Sequence, residues 1–77
     1  MSSPKVSFIG AGKMAAALAA GLIRSGFTTA DRIVGSDVAA ESLEYFTKTS
    51  GAGTVTSNVE AVRDADIVVF AVKPHHL

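Results

Sequence analysis

The stretch that decides the fold is VSFIGAGKMA, residues 6–15. Its first half is apolar and predicts a short buried strand over residues 5–9, whereas the Ala- and Leu-rich sequence that follows predicts a helix over residues 13–25. Between them lie Gly10, Gly12 and Ala15, in the spacing G-x-G-x-x-A. A strand, a glycine turn and a helix in this order are typical of a dinucleotide-binding βα unit.

Each small residue of this motif has a physical role. Gly10 permits the sharp turn from strand to helix, and Gly12 has no Cβ that would keep a pyrophosphate away from the backbone. Ala15 lets the helix pack closely against the strand. The first amides of the helix lack intrahelical partners and favour an anion, so the motif predicts a pyrophosphate site made of backbone. The alternative is a tight βα turn that binds no ligand.

The rest of the chain continues the alternation of strands and helices. Further strands are predicted at residues 32–36, 54–56 and 67–72, and further helices at residues 38–49 and 57–63. The order is typical of a Rossmann-type, doubly wound α/β fold, here a partial parallel sheet with strands in the order 3-2-1-4. The last strand is apolar throughout and predicts burial on both faces, although this order places it at an edge. We therefore expect a neighbouring strand outside this chain.

Helix faces and helix ends can also be predicted. Gly26 is suited to end the first helix, Asp37 to cap the second, and Ser57 with Glu60 to form a capping box at the third. The residues expected to face the core recur at helical spacing; they are Met14, Leu18 and Leu22 in the first helix and Ala39, Ala40, Leu43 and Phe46 in the second.

Composition excludes several classes of protein. The 77 residues have no net charge and no cysteine, so they form one small domain or part of one, without a disulfide framework. The lack of a basic stripe argues against nucleic-acid and membrane-surface binding, and no apolar run is long enough to span a membrane. Residues 1–4 lack the features of a signal peptide, which favours a cytoplasmic protein.

No metal site or nucleophile is predicted. His75 and His76 are adjacent and have no carboxylate at ligand spacing, and no serine lies in a nucleophile elbow. We therefore assign no catalytic residue, and a bound cofactor would carry out any reaction.

Polar residues at predicted strand ends are candidates for cofactor binding. Asp37 follows Ala15 by roughly 20 residues, the distance at which an acid commonly hydrogen-bonds the adenosine ribose. Its charge opposes a 2′-phosphate and favours NAD, but Ser36 and the amide of Val38 offer groups that would bind that phosphate, so NAD and NADP both stay open. Asn58 is placed to bind the ribose or pyrophosphate, or to cap a helix.

Lys73 follows the fourth predicted strand, across the sheet from the glycine turn. Ligands of open α/β sheets bind in the crevice at this point. Lys73 is therefore a candidate for contact with cofactor oxygens or with an anionic substrate. The alternative is a solvated lysine at a strand end.

Two segments together narrow the family. FIGAGKMA at residues 8–15 and AVKPH at residues 71–75 resemble pyrroline-5-carboxylate reductases, and the likeness covers residues 5–77. Gly26 and Asn58 fit the same family. Members are homo-oligomeric enzymes of proline biosynthesis that reduce the cyclic imine to proline with NADPH or NADH.

The resemblance implies roles for the matching residues. Asn58 would bind the adenosine side, whereas Asp37 stands where relatives often carry Ser or Thr that help to hold a 2′-phosphate. The other implied contacts fall into two groups, a loop around the pyrophosphate and a lining for the nicotinamide end. They are Ile9, Gly10, Ala11, Gly12, Lys13 and Met14 for the first group, and Ala71, Val72, Lys73 and Pro74 for the second.

The family also has a C-terminal helical domain that supplies the imine pocket and the dimer interface. We expect residues 1–77 to be the N-terminal NAD(P)-binding part, which alone does not reduce the imine. Two competing hypotheses are an enzyme with the same N-terminal fold, such as a prephenate dehydrogenase-like or F420-dependent NADP reductase, and a regulatory module that binds NAD(H) without turnover.

Overall fold

The computed structural model describes residues 3–71. Strands and helices alternate along these residues, and a short 3-10 turn precedes the second strand. The elements are β1 (Val6–Ile9), α1 (Lys13–Arg24), the 3-10 turn (Ala30–Arg32), β2 (Ile33–Ser36), α2 (Ala40–Ser50), β3 (Gly53–Val55), α3 (Asn58–Val62) and β4 (Ile67–Phe70). Each predicted element is present, with ends that agree to within about two residues, except that the predicted end of the last strand at residue 72 lies outside the described residues.

The four strands form one parallel sheet in the order β3-β2-β1-β4. This confirms the predicted doubly wound α/β arrangement and its strand order. In register, Ile9 at the end of β1 lies beside Ser36 on one side and Phe70 on the other. The segments that follow β1 and β2 therefore leave the sheet at the same edge, the one at which β4 also ends.

The core lies between β1 and the helices. Val6 and Phe8 of β1 are buried, and the Phe8 ring meets the ring of Phe46 from α2 edge-on, with centroids 5.6 Å apart and planes 60° apart. This edge-to-face geometry is the favoured one for aromatic pairs. The predicted burial of Phe46 is confirmed, and Leu43 packs against the same cluster.

The predicted core face of α1 is wrong at two of its three residues. Met14 and Leu18 are 69% and 47% exposed, whereas Leu22 packs against the core. The buried face consists of small side chains instead: Ala15, Ala16 and Ala19. Their methyl groups let the helix backbone come close to its neighbours, and this rotates the larger residues outwards.

The helix ends give one correction. α2 begins at Ala40 with Ala39 as its N-cap, so the predicted capping by Asp37 and the predicted burial of both alanines are wrong. At α3 the Ser57 hydroxyl accepts a hydrogen bond from the Glu60 amide at 3.3 Å, as the capping box predicts. Gly26 has φ 83° directly after α1, which fits its predicted role as a helix terminator.

The last strand differs from the prediction in burial. β4 occupies a sheet edge, as its place in the order predicts, but Ile67 and Val68 are each 38% exposed and Phe70 is 74% exposed. The prediction of burial on both faces is therefore wrong for the described part of the chain. Within residues 3–71, β4 pairs with β1 on one side only. That a neighbouring strand covers its other side remains a prediction.

Among residues 3–71, no helix has both the length and the apolar character that a membrane crossing requires.

The close approach of β2 to α2 predicts a stability defect. A Cβ at Gly35 would lie 2.8 Å from Cε2 of Phe46, and this ring is fully buried against Phe8 and has little room to move. We expect Gly35→Ala to lower the free energy of unfolding by about 1–3 kcal/mol, measured by urea denaturation. Gly53→Ala is the matched control, because its Cβ would meet no described atom within 4 Å. Equal unfolding midpoints for the two variants would contradict the packing described here.

Candidate functional site

The glycine turn directly follows β1 at the carboxyl edge of the sheet, by which we mean the side at which the parallel strands end. Gly10 has φ 102°, a conformation that L side chains rarely adopt, and its amide donates a hydrogen bond to the Ser36 carbonyl at 2.8 Å. This bond continues the β1–β2 pairing by one residue before the chain turns into α1. The predicted requirement for glycine at this turn is therefore confirmed by the backbone.

The N-terminus of α1 presents backbone donors beside open space. Gly12 is the N-cap, and within the described residues no side chain caps the helix and no acidic residue occupies its first turn. The Ala16 amide donates to the Gly12 carbonyl at 3.0 Å, so the amides of Lys13 and Met14 precede the first intrahelical bond. A Cβ at Gly12 would meet no described atom within 4 Å. These features fit a pyrophosphate, which needs donors and close access to the backbone.

Asp37 joins the glycine turn to the segment before α2. Its Oδ2 accepts a hydrogen bond from the Ala11 amide and its Oδ1 accepts one from the Ala39 amide, each at 2.9 Å. Asp37 therefore accepts a hydrogen bond from Ala39, the N-cap residue of α2, and is not the cap itself. The Ala11 amide is likewise not free for a ligand, so the open donors begin at Gly12.

These amides also set the charge of Asp37. Burial of the carboxyl acts to raise its pKa, but the backbone amides of Ala11, Ala39 and Val38 together outweigh burial and hold the pKa below its ordinary value. The side chain is therefore an anion at neutral pH, and its charge lies at the carboxyl edge of the sheet beside the glycine turn.

Ser36 and Asn58 form a second connection at this edge. The Ser36 side chain is fully buried, and its hydroxyl donates a hydrogen bond to Oδ1 of Asn58 at 2.6 Å. Asn58 lies in the first turn of α3, next to Ser57, whose hydroxyl caps that helix. Since Oδ1 of Asn58 accepts from Ser36, the NH₂ group of this amide is the part suited to donate to a ligand.

A cleft of about 170 Å³ lies between these groups. The structure thus brings together several of the predicted site residues, and it adds Thr56, which directly follows β3 at the same sheet edge. Position alone would have identified Thr56, because ligands of such sheets bind at the strand ends. The cleft is lined by Ile9, Gly10, Ser36, Asp37, Val38, Thr56 and Asn58.

An apolar groove of about 210 Å³ adjoins the cleft. Ile9 and Asn58 line both, and Val59, Val62 and Phe70 complete the groove. Sequence reasoning did not single out these three residues. Val59 and Val62 are exposed and lie three positions apart on α3, a spacing that signals a shared helix face.

The remaining predicted contacts are only partly visible. The exposed side chains of Lys13 and Met14 lie at the start of α1, and the Ala71 amide donates to the Ile9 carbonyl at 2.8 Å. The predicted contacts of Val72, Lys73 and Pro74, and the two histidines after them, lie outside the described residues. In the described part of the chain, no three metal-ligating side chains come together.

Comparison with known proteins gives a consistent result. A family model described as NADP oxidoreductase, coenzyme F420-dependent, matches residues 5–77. A pyrroline-5-carboxylate reductase of Pseudomonas aeruginosa is 47% identical over 74 residues, covering 96% of this chain and 27% of that protein. One from Methanosarcina acetivorans is 42% identical over 77 residues, covering 100% and 28%.

A solved structure is similar as well. The pyrroline-5-carboxylate reductase of Coxiella burnetii superposes with a TM-score of 0.82 and 36% sequence identity, over 95% of this chain and 27% of that one. The chain therefore spans only 27% to 28% of the length of these relatives.

The depressed pKa of Asp37 predicts an acid-sensitive contribution to stability. The native pKa lies below the ordinary value of 3.8, so the carboxylate stabilises the fold above that pH, and this stabilisation is lost as the pH falls through the native pKa. We expect Asp37→Asn to be less stable than the parent at pH 7 and to lose less stability on acidification. Urea unfolding at a series of pH values measures both effects.

The control for this prediction is Glu44→Gln, which removes an exposed carboxylate from α2. It should leave the acid dependence close to that of the parent. Parallel curves of stability against pH for Asp37→Asn and the parent would show that the two amide contacts do not hold the carboxylate as described.

Proposed function

Because the chain belongs to the family described as NADP oxidoreductase, coenzyme F420-dependent, we propose that it holds NAD(P)H in an enzyme that reduces 1-pyrroline-5-carboxylate to L-proline. The family supports the nicotinamide cofactor, and the names of the Pseudomonas and Methanosarcina relatives support the substrate. The observation that carries the proposal is the uncapped N-terminus of α1 at Gly12, open to a ligand at the carboxyl edge of the sheet.

The proposed binding mode follows the order of groups along this edge. The pyrophosphate lies at the start of α1, where the amides of Gly12, Lys13 and Met14 donate to it and the helix dipole favours its charge. The adenosine ribose lies in the cleft beside Asp37 and Asn58. The nicotinamide end extends past Ile9 in the direction of β4.

When bound, the reduced nicotinamide supplies the hydride that the imine carbon receives. The contribution of this chain is to bind and orient the dinucleotide, and we assign it no catalytic residue. We propose that residues 1–77 are the N-terminal cofactor-binding part of a longer reductase, in which a C-terminal helical part provides the imine pocket. The 27% of the Pseudomonas relative that the chain covers supports this division.

We also propose a cytoplasmic, homo-oligomeric enzyme that binds neither nucleic acid nor membranes. The absence of net charge supports the proposal that it binds neither nucleic acid nor membranes, since both of these carry negative charge and attract basic surfaces. The family resemblance supports the assembly.

Substitution of Gly12 tests the pyrophosphate site. The residue has φ −76° and an added Cβ has open space, so Gly12→Ala should fold, with a stability lower than that of the parent by no more than about 1 kcal/mol because alanine is a poorer N-cap than glycine. In the complex, the same methyl group would occupy space that the pyrophosphate needs. We expect NADH and NADPH, titrated by nicotinamide fluorescence, to bind about tenfold or more weakly, a loss of roughly 1.4 kcal/mol or more.

Gly21→Ala is the matched control for this experiment. Gly21 lies in α1 away from the turn, and its Cβ would also meet no atom of the described residues within 4 Å. This variant should bind both dinucleotides as the parent does. If Gly12→Ala keeps full affinity, or if the folded parent binds neither dinucleotide, the proposed function is wrong.

The proposed division of labour predicts that the chain alone does not turn over the imine. Cofactor binding without a pocket that holds the imine over the nicotinamide gives no proximity advantage. When the 77-residue chain is mixed with NADH and pyrroline-5-carboxylate, the absorbance of NADH should therefore fall no faster than it does in buffer alone. The complete Pseudomonas relative is the positive control, and imine-dependent NADH oxidation by the chain would refute the division.

A further inference from the structure

The carboxylate of Asp37 is fixed at the adenosine side of the cleft. Each of its two oxygens accepts a hydrogen bond, at 2.9 Å, from a backbone amide, and the two amides belong to different segments, the glycine turn and the start of α2. A rotation of the side chain away from the cleft would break both bonds and leave Ala11 and Ala39 without these partners. A ligand in this cleft therefore meets a carboxylate whose position is set by the fold.

The two groups that the sequence suggests for binding a 2′-phosphate, the Ser36 hydroxyl and the Val38 amide, are already engaged. The Ser36 hydroxyl is fully buried and donates to Asn58, the amides of Ala11 and Ala39 donate to Asp37, and the amide of Val38 faces the same carboxylate. Among the described residues that line the cleft there is no lysine or arginine. A phosphate dianion placed here would meet a fixed negative charge.

A free ribose hydroxyl has the opposite requirements. It donates a hydrogen bond, and Asp37 offers carboxylate lone pairs beyond those that the two amides use. It also accepts one, and the NH₂ of Asn58 is a donor at the rim of the same cleft. A carboxylate at the end of the second strand is the group that typically binds a free 2′-hydroxyl in dinucleotide-binding folds.

From these contacts we propose that the chain selects the dinucleotide with a free 2′-hydroxyl, NAD(H), over NADP(H), and that Asp37 is the specificity-determining residue. This inference rests on the proposed function, because it concerns the adenosine end of the same site. It gives the opposite preference to the one in the family description, which names NADP. The proposed preference rests on one side chain and its two backbone partners.

The test is a pair of titrations of the 77-residue chain, one with NADH and one with NADPH, followed by nicotinamide fluorescence and by the shift in thermal unfolding. We expect the parent to bind NADH at least tenfold more tightly. In Asp37→Ser, which removes the charge and leaves a hydroxyl, we expect NADH to bind more weakly, NADPH more tightly, and the preference to be abolished or reversed. Asp31→Asn, in the exposed 3-10 turn, is the control and should keep the preference of the parent.

Because Asp37 also connects two segments, its variants can fail to fold, so a second measurement uses the parent alone. ADP-ribose and its 2′-phosphorylated form are compared as competitors of bound NADH, and only the first should displace it at low concentration. Equal or stronger competition by the phosphorylated form, or tighter binding of NADPH than of NADH, overturns the selectivity and leaves dinucleotide binding intact. A folded Asp37→Ser that keeps the NADH preference overturns the role of Asp37, whereas a folded parent that binds neither dinucleotide overturns the proposed function.

Discussion

Hydrogen bonding of β1 on both of its sides is the constraint on which the rest of the structure depends. β2 and β4 flank this strand, so its side chains fill the core. Its carboxyl end is therefore fixed between the carboxyl ends of these two neighbours. The pairing continues beyond Ile9 on both sides, through Gly10 to Ser36 and through Ala71 to Ile9. The glycine turn therefore projects from a rigid frame, and the amides at the start of α1 are presented in a fixed direction.

The candidate site consists mainly of backbone groups, and its side chains position one another. Asp37 binds the turn to the segment before α2, and Ser36 binds the end of β2 to α3 through Asn58. These bonds connect parts of the chain that are adjacent only in the folded protein. They explain how a small domain with short strands can hold polar groups in place at a sheet edge, where a ligand of the proposed kind needs preorganised partners.

The features that the sequence alone could predict are those with local causes. The sequence predicts the strand, turn and helix around Gly10 correctly because hydrophobic period, glycine spacing and helix propensity all act within a few residues. It does not predict the buried face of α1, because periodicity treats Met14 and Leu18 as core residues, whereas the helix packs through its alanines. It also gives no indication of the partners of Asp37. Its bond to Ala11 joins residues 26 positions apart, and the Ser36–Asn58 bond spans 22 positions, so neither leaves a local signal.

The exposed β4 has a consequence for the behaviour of the chain in solution. Ile67-Val68-Val69-Phe70 contains no charge, proline or glycine, and in the described part of the chain its outer side has no strand beside it. Such an edge is a template for intermolecular β-pairing, and its composition is that of segments that form cross-β fibrils. The opposite edge, β3, is shorter and begins with a glycine. Aggregation of the isolated chain would therefore start at β4, and a single lysine there would act as a gatekeeper against it.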